Sequence, residues 1–122
     1  MKKRMTIVIA IMHFMFFSCK NICNTDTKFE EKFNKSITII HASQFQKAEL
    51  LVEDIQNAVF FVVAVSKIEP CNFDIENVTY CRREDCVNDI KLWNDWYKEH
   101  KCNFSIEIAD SLFSEHAYGK NR

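Results

Sequence analysis

Residues 85 to 100 read Asp85-Cys-Val-Asn-Asp-Ile-Lys-Leu-Trp-Asn-Asp-Trp-Tyr-Lys-Glu-His100. Cys86, Ile90, Trp93 and Tyr97 fall at i, i+4, i+7 and i+11, the spacing of one face of an α-helix, and Val87 and Trp96 widen that face. Glu84 and Asp85 stand where a helix dipole favours anions, while Lys98, His100 and Lys101 stand where it favours cations. Lys91 and Asp95 form an i,i+4 pair. This is the most clearly marked helix in the chain, and its broad apolar stripe must be buried against other elements.

Upstream, Ser43-Gln44-Phe45-Gln46 has the form of a capping box. Phe45, Ala48, Val52, Ile55, Val59 and Val62 follow at three- and four-residue steps. From Ala58 to Val65 every residue is apolar and four are valine. This run fits either a helix end buried all round or a central strand; without an internal Gly or Pro, the continuing helix is favoured. Pro70 disfavours helix at Glu69 and closes the element. The spacing thus predicts two principal helices, over about 43–67 and 85–100, and a small, mainly α domain. The apolar run reads as core, with a groove wall for an apolar ligand as the sharper alternative.

The flanks are shorter. Ser36 to Ile40 reads as a short strand (36–40), or as the end of a helix begun near Thr27 in which Phe29 and Phe33 are i,i+4 neighbours. Phe104, Ile106 and Ile108 alternate with Ser105, Glu107 and Ala109, which predicts a second short strand over 104–109. The 122 residues include one Gly and one Pro, so turns that need positive φ should be few. The organisation expected is a single globular domain over 29–113 and a frayed tail over 114–122.

The N-terminus carries the functional information. Lys2-Lys3-Arg4 precedes an apolar run from Ile7 to Phe17, the layout of an export signal, and eleven residues are too few to span a bilayer. Phe14-Met15-Phe16-Phe17-Ser18-Cys19 resembles the lipobox of bacterial lipoproteins, with Phe16 where Leu is usual and Phe17 where a small residue is usual. The resemblance implies a signal peptide over 1–18, lipidation (as by palmitate) of Cys19, a tether over 19–28, and membrane attachment at the cell envelope. Secretion without lipid is the alternative.

Removal of 1–18 takes three of the sixteen Lys and Arg and none of the seventeen Asp and Glu, leaving 13 against 17, a formal charge of −4. A mildly acidic chain gives no electrostatic reason to expect nucleic acid as a partner. The expected partners are the membrane, through the lipid, and an unidentified protein.

Export makes the cysteines readable, because an oxidising compartment lets disulfides persist. With Cys19 assigned to lipid, Cys23, Cys71, Cys81, Cys86 and Cys102 remain. Cys23 lies in the tether and is left unpaired or intermolecular. A straight helix from Cys86 to His100 rises about 21 Å, and two further residues recover at most about 7 Å. Cys86 and Cys102 therefore stay beyond disulfide reach. The favoured pairs are Cys71 with Cys102 and Cys81 with Cys86. Their spacing, with His100 nearby, lacks the short Cys-x2-4-Cys knuckles of zinc sites, so neither a metal nor any other cofactor is expected.

No catalytic constellation is visible, and an enzyme with a site hidden from sequence stays open. Asp85 and Asp89 share a helix face and read as solvating carboxylates, and Arg82-Arg83 as a solvated loop pair. Trp93, Trp96 and Tyr97 are the side chains suited to a binding surface. Trp93 and Tyr97 lie on the core stripe, which leaves Trp96 the better placed for exposure. Asn34-Lys-Ser, Asn77-Val-Thr and Asn103-Phe-Ser match the glycosylation sequon, which would suit a secreted protein.

Overall fold

The computed structural model describes residues 23–46 and 49–119, apart from the side chain of residue 118. The stretches expected to form an export signal and a lipobox, and Cys19, lie outside these residues. The elements are α1 (Thr27–Phe45), α2 (Val52–Ser66), a two-stranded antiparallel hairpin of β1 (Phe73–Asp74) and β2 (Thr79–Tyr80), α3 (Arg83–His100), a 3-10 turn (Lys101–Asn103) and α4 (Ile106–Gly119). The domain is mainly α, as expected. Among the described residues, no helix is long and apolar enough to cross a membrane.

α1 begins where Asp26 accepts the N–H groups of Lys28 and Phe29 at 2.9 and 3.1 Å, satisfying donors that have no partner within the helix. Its buried residues Phe29, Phe33, Ser36 and Ile40 fall at i, i+4, i+7 and i+11. That continuous stripe outweighs the local alternation of 36–40, so the strand expected there is instead the middle of a helix. The two-helix division also changes, because the helix expected over 43–67 is interrupted. Ser43 does not cap a new helix; its hydroxyl donates back to the Ile40 carbonyl at 2.7 Å. α1 runs to Phe45, and the second helix starts only at Val52.

α2 is almost wholly buried from Ala58 to Ser66, with Phe60 half-buried, and the ambiguous valine run is helical. It ends before Pro70. The Ser66 hydroxyl donates to the Val62 carbonyl at 2.6 Å and accepts the Ile68 N–H at 3.1 Å. Lys67 takes the left-handed conformation, φ 61°, with its N–H on the Val63 carbonyl. Glycine is usual at such a position. Asn72 and Val78 are also at positive φ, so non-glycine residues hold all three left-handed positions found among the described residues.

The hairpin pairs Phe73 with Tyr80 and Asp74 with Thr79. Asp74 closes its turn by accepting the N–H groups of Glu76 and Asn77 and the Asn77 amide. Gln44 then serves as a substitute strand partner: its amide donates to the Val78 carbonyl at 3.0 Å and its carbonyl accepts the Tyr80 N–H at 3.2 Å. A two-stranded ribbon alone is marginal; here it is tied to the far end of α1.

α3 behaves as its stripe predicts. Cys86, Trp93 and Tyr97 are buried, Ile90 packs partly against the core, and Lys91 meets Asp95 at 3.0 Å. Residues 106–109 belong to α4 and are not a strand. Ala109 is buried while Ile108 is half exposed, which is helical rather than alternating burial. The helix continues to Gly119, into the stretch read as a tail.

The disulfide joins Cys23 to Cys102, with Cα atoms 5.5 Å apart. Neither expected pair forms: Cys71 and Cys81 are free and exposed, and Cys86 is free and buried. The Cys71 N–H is held by Asp89 at 2.8 Å, thirteen helical and 3-10 positions before Cys102, a distance of about 20 Å at the helical rise. Cys102 instead lies at the end of α3 that meets the start of α1, where Cys23 is. The segment read as a loose tether is thereby fastened to the domain from Cys23 onward.

Candidate functional site

Two constellations gather polar chemistry. The first is a solvent-open groove of about 670 Å³ between α1, α2 and α4. Its apolar floor is made by Ile39, Ala58, Phe61 and Phe113. Lys28, Lys32 and Lys35 rise along one side from α1, and Asp54 and Asp110 stand on α2 and α4. The three lysines fall at i, i+4 and i+7, so they form one stripe.

Lys32 spans this groove. Its Nζ meets Asp110 Oδ1 at 2.6 Å and lies 4.8 Å from the Phe61 ring centroid and 5.5 Å from that of Phe113. A cation held over two ring faces and a carboxylate leaves Lys28 and Lys35 as the cations beside the floor. The arrangement suits a chain that buries apolar side chains while presenting charges of both signs.

The second constellation lies at the base of the hairpin. Asp85 and Asp89 share a face of α3, as their spacing implies, but they are 5% and 2% exposed and so are not the solvating carboxylates expected. Asp85 accepts Arg82 Nη2 and Nε at 3.1 and 3.2 Å and the Asn72 amide at 3.1 Å. Arg82 first, and Asn72 next, hold its carboxyl below the ordinary range. Asp89 receives the Cys71 N–H, yet burial dominates and pushes its carboxyl up. Arg82 is thus a pinned counter-ion, and Arg83 lies over the Phe45 ring at 5.7 Å.

Tyr80 and Cys86 face the same carboxylate. Burial first, then Asp89, raises the Tyr80 phenol far above its usual range and pushes the Cys86 thiol up to about 11. The Tyr80 hydroxyl neighbours Asp89 without closing a well-formed hydrogen bond. A thiol kept protonated is a poor nucleophile. The cluster fastens the Cys71–Asn72 segment to α3, with Cys86 held as a thiol.

The aromatic residues singled out from sequence separate. Trp93 is fully buried and donates its indole N–H to the Ile68 carbonyl at 3.0 Å. Tyr97 is buried and stacks on Phe33 at 4.7 Å. Trp96 is half-buried, sandwiched by Phe33, Phe104 and His100, with the His100 ring parallel to it at 5.0 Å. His100 also bonds the Trp96 carbonyl at 2.9 Å, in keeping with a helix C-terminal cap. None of the three faces the groove. Ala58 and Phe61 belong to the apolar run for which a groove wall was the sharper alternative; the polar rim was missed because its elements are far apart in sequence, and the lysine stripe on α1 was the available signal.

A smaller cavity of about 220 Å³ lies between Val63, Pro70, Phe73 and His116. Among the described residues, no group of three or more His, Cys, Asp or Glu side chains is placed to hold a metal ion. No family model matches this sequence, and comparison with curated proteins and with solved structures gives no significant match.

Proposed function

We propose that the chain is a small exported lipoprotein, attached at the bacterial cell envelope through lipid on Cys19, that acts by binding a protein partner. The observation that carries the reading is the Cys23–Cys102 disulfide, because disulfides form and persist outside the reducing cytosol. The basic and apolar N-terminal layout and the lipobox-like Phe-Phe-Ser-Cys support the same address. The groove between α1, α2 and α4 is the contact surface, and its partner is an amphipathic peptide segment, which matches an apolar floor bordered by charges of both signs.

Mass spectrometry of the protein purified from bacterial membranes tests the address. A mature N-terminus at Cys19 carrying acyl chains is expected; a plain amine at residue 20 or beyond would overturn the anchor. A photo-crosslinking residue placed at Ile39, on the groove floor, tests the surface in intact cells. A discrete adduct is expected there and not from the same residue at Asn88, on the exposed face of α3. Equal labelling from both positions, or none from Ile39, would overturn the groove assignment.

A further inference from the structure

The disulfide does more than stabilise, because it fixes which end of the domain the tether leaves from. Cys23 is bonded to Cys102 with Cα atoms 5.5 Å apart. Cys102 belongs to the 3-10 turn after α3, and Asp26, three residues beyond Cys23, joins the starts of α1 and α4. Cys23, the starts of α1 and α4, and the end of α3 therefore form one end of the helical body. α1 then runs 19 residues, about 28 Å at the helical rise, to the opposite end. There Gln44 holds the hairpin.

Only residues 20 to 22 separate Cys19 from Cys23. Four Cα steps reach at most roughly 14 Å even fully extended. With Cys19 lipidated, as proposed above, that reach is also the greatest distance from the anchor to the disulfide. We propose that the end bearing the Cys23–Cys102 bond is a membrane-facing surface, seated on lipid headgroups, and that the hairpin end is presented outward.

The charges at the seated end are mixed: Lys28 in the first turn of α1, Glu99 and Lys101 about the end of α3 and Glu107 in the first turn of α4, all exposed except Lys101, which is half-buried. Seating is consequently imposed by the short tether and not by attraction to anionic lipid. It should survive about 0.5 M salt, where the Debye length falls to about 4 Å.

The test uses the full chain, acylated in a bacterial host and reconstituted in vesicles containing a headgroup quencher. A clickable non-thiol fluorophore is placed at Asn103, beside the disulfide, or at Glu76, in the hairpin turn. Quenching several-fold stronger at Asn103 is expected, unchanged by salt. A spacer of about twenty Gly/Ser residues after residue 20, with a mean reach of about 25 Å, should remove the contrast. Equal quenching at both positions in protein shown to be acylated and vesicle-bound would overturn the orientation while leaving the anchor intact. A contrast that persisted with the spacer would overturn the tether as its cause. Protein lacking acyl chains would overturn the lipoprotein reading and the orientation with it.

Discussion

Asp26 and Ile106, eighty positions apart, meet at the Asp26 carboxylate: Oδ2 accepts the Ile106 N–H at 3.2 Å while Oδ1 caps α1. One side chain thus satisfies donors at the starts of two helices. Those hydrogen bonds, led by the Phe29 and Ile106 amides, hold its carboxyl below the usual range.

Replacing Asp26 should uncouple the two helix starts. Asp26→Ala is expected to lower the melting temperature by roughly 5 °C, the effect of losing one N-cap in a domain of this size. Asp26→Asn keeps one acceptor oxygen and should fall between Ala and the parent. Thermal unfolding followed by circular dichroism would measure both, and an Asn variant as damaged as Ala would contradict the division of labour between the two oxygens.

The Cys23–Cys102 bond spans 79 positions. In the chain-entropy view, closing so long a loop contributes about 4 to 5 kcal/mol by restricting the unfolded chain. The paired substitution Cys23→Ser with Cys102→Ser should cost that much in urea unfolding. Non-reducing peptide mapping should return the 23–102 peptide pair; a 71–102 pair would refute the placement of the Cys71–Asn72 segment against α3.

Asp89 sets an opposing pH dependence. Its folded carboxyl is raised by burial, so the stability it permits is complete below the unfolded value and is lost as pH rises through the folded one. Asp89→Asn stays neutral at every pH and keeps an acceptor for the Cys71 N–H. Urea midpoints should show it equal to or above the parent near pH 7, with the advantage shrinking as pH falls into the carboxylate range. Asp26, Asp74 and Asp85 run the other way, since their carboxyls are lowered. Their support is complete above the unfolded value and disappears as pH falls through the depressed folded ones. A lower midpoint for Asp89→Asn near neutrality would show that the ionised form is stabilising.

Lys67 closes α2 at φ 61°, a conformation that costs any residue with a Cβ. Its side chain is exposed, so little packing is lost on truncation. Lys67→Gly should therefore raise stability by about 0.5 to 1 kcal/mol, read from the urea midpoint. A loss would mean that the greater freedom of glycine in the unfolded chain outweighs the relief.

Photo-crosslinking from Ile39 and quenching from Asn103 address different surfaces, so either can fail without the other. The groove meets the disulfide end at Lys28 and Ile106, but Ile39 lies ten residues beyond Phe29 along α1, about 15 Å from the seated end, so a partner there and a lipid surface at the disulfide end are compatible.

The sequence alone determined the elements whose apolar periodicity is unbroken. The stripe from Cys86 to Tyr97 is satisfied locally by helical geometry and is a helix, whereas the all-apolar run from Ala58 to Val65 fitted helix or strand and became helix by burial among the other helices. It also excluded a Cys86–Cys102 bond, since a straight helix keeps those positions apart. Tertiary structure decided everything that depended on a distant partner. Ser43 and Gln46 carry a capping signature, but α1 continues through Ser43 because Phe29, Phe33, Ser36 and Ile40 bury one face against the core and Gln44 is needed by the hairpin. Asp85 and Asp89 are buried because the Cys71–Asn72 segment lies on them, which no helical spacing encodes. Cys23 bonds Cys102 because the end of α3 returns to the start of α1. Periodicity records a residue's relation to its own helix, whereas caps, buried carboxylates and disulfides are settled by whichever group the folded chain brings within about 3 Å.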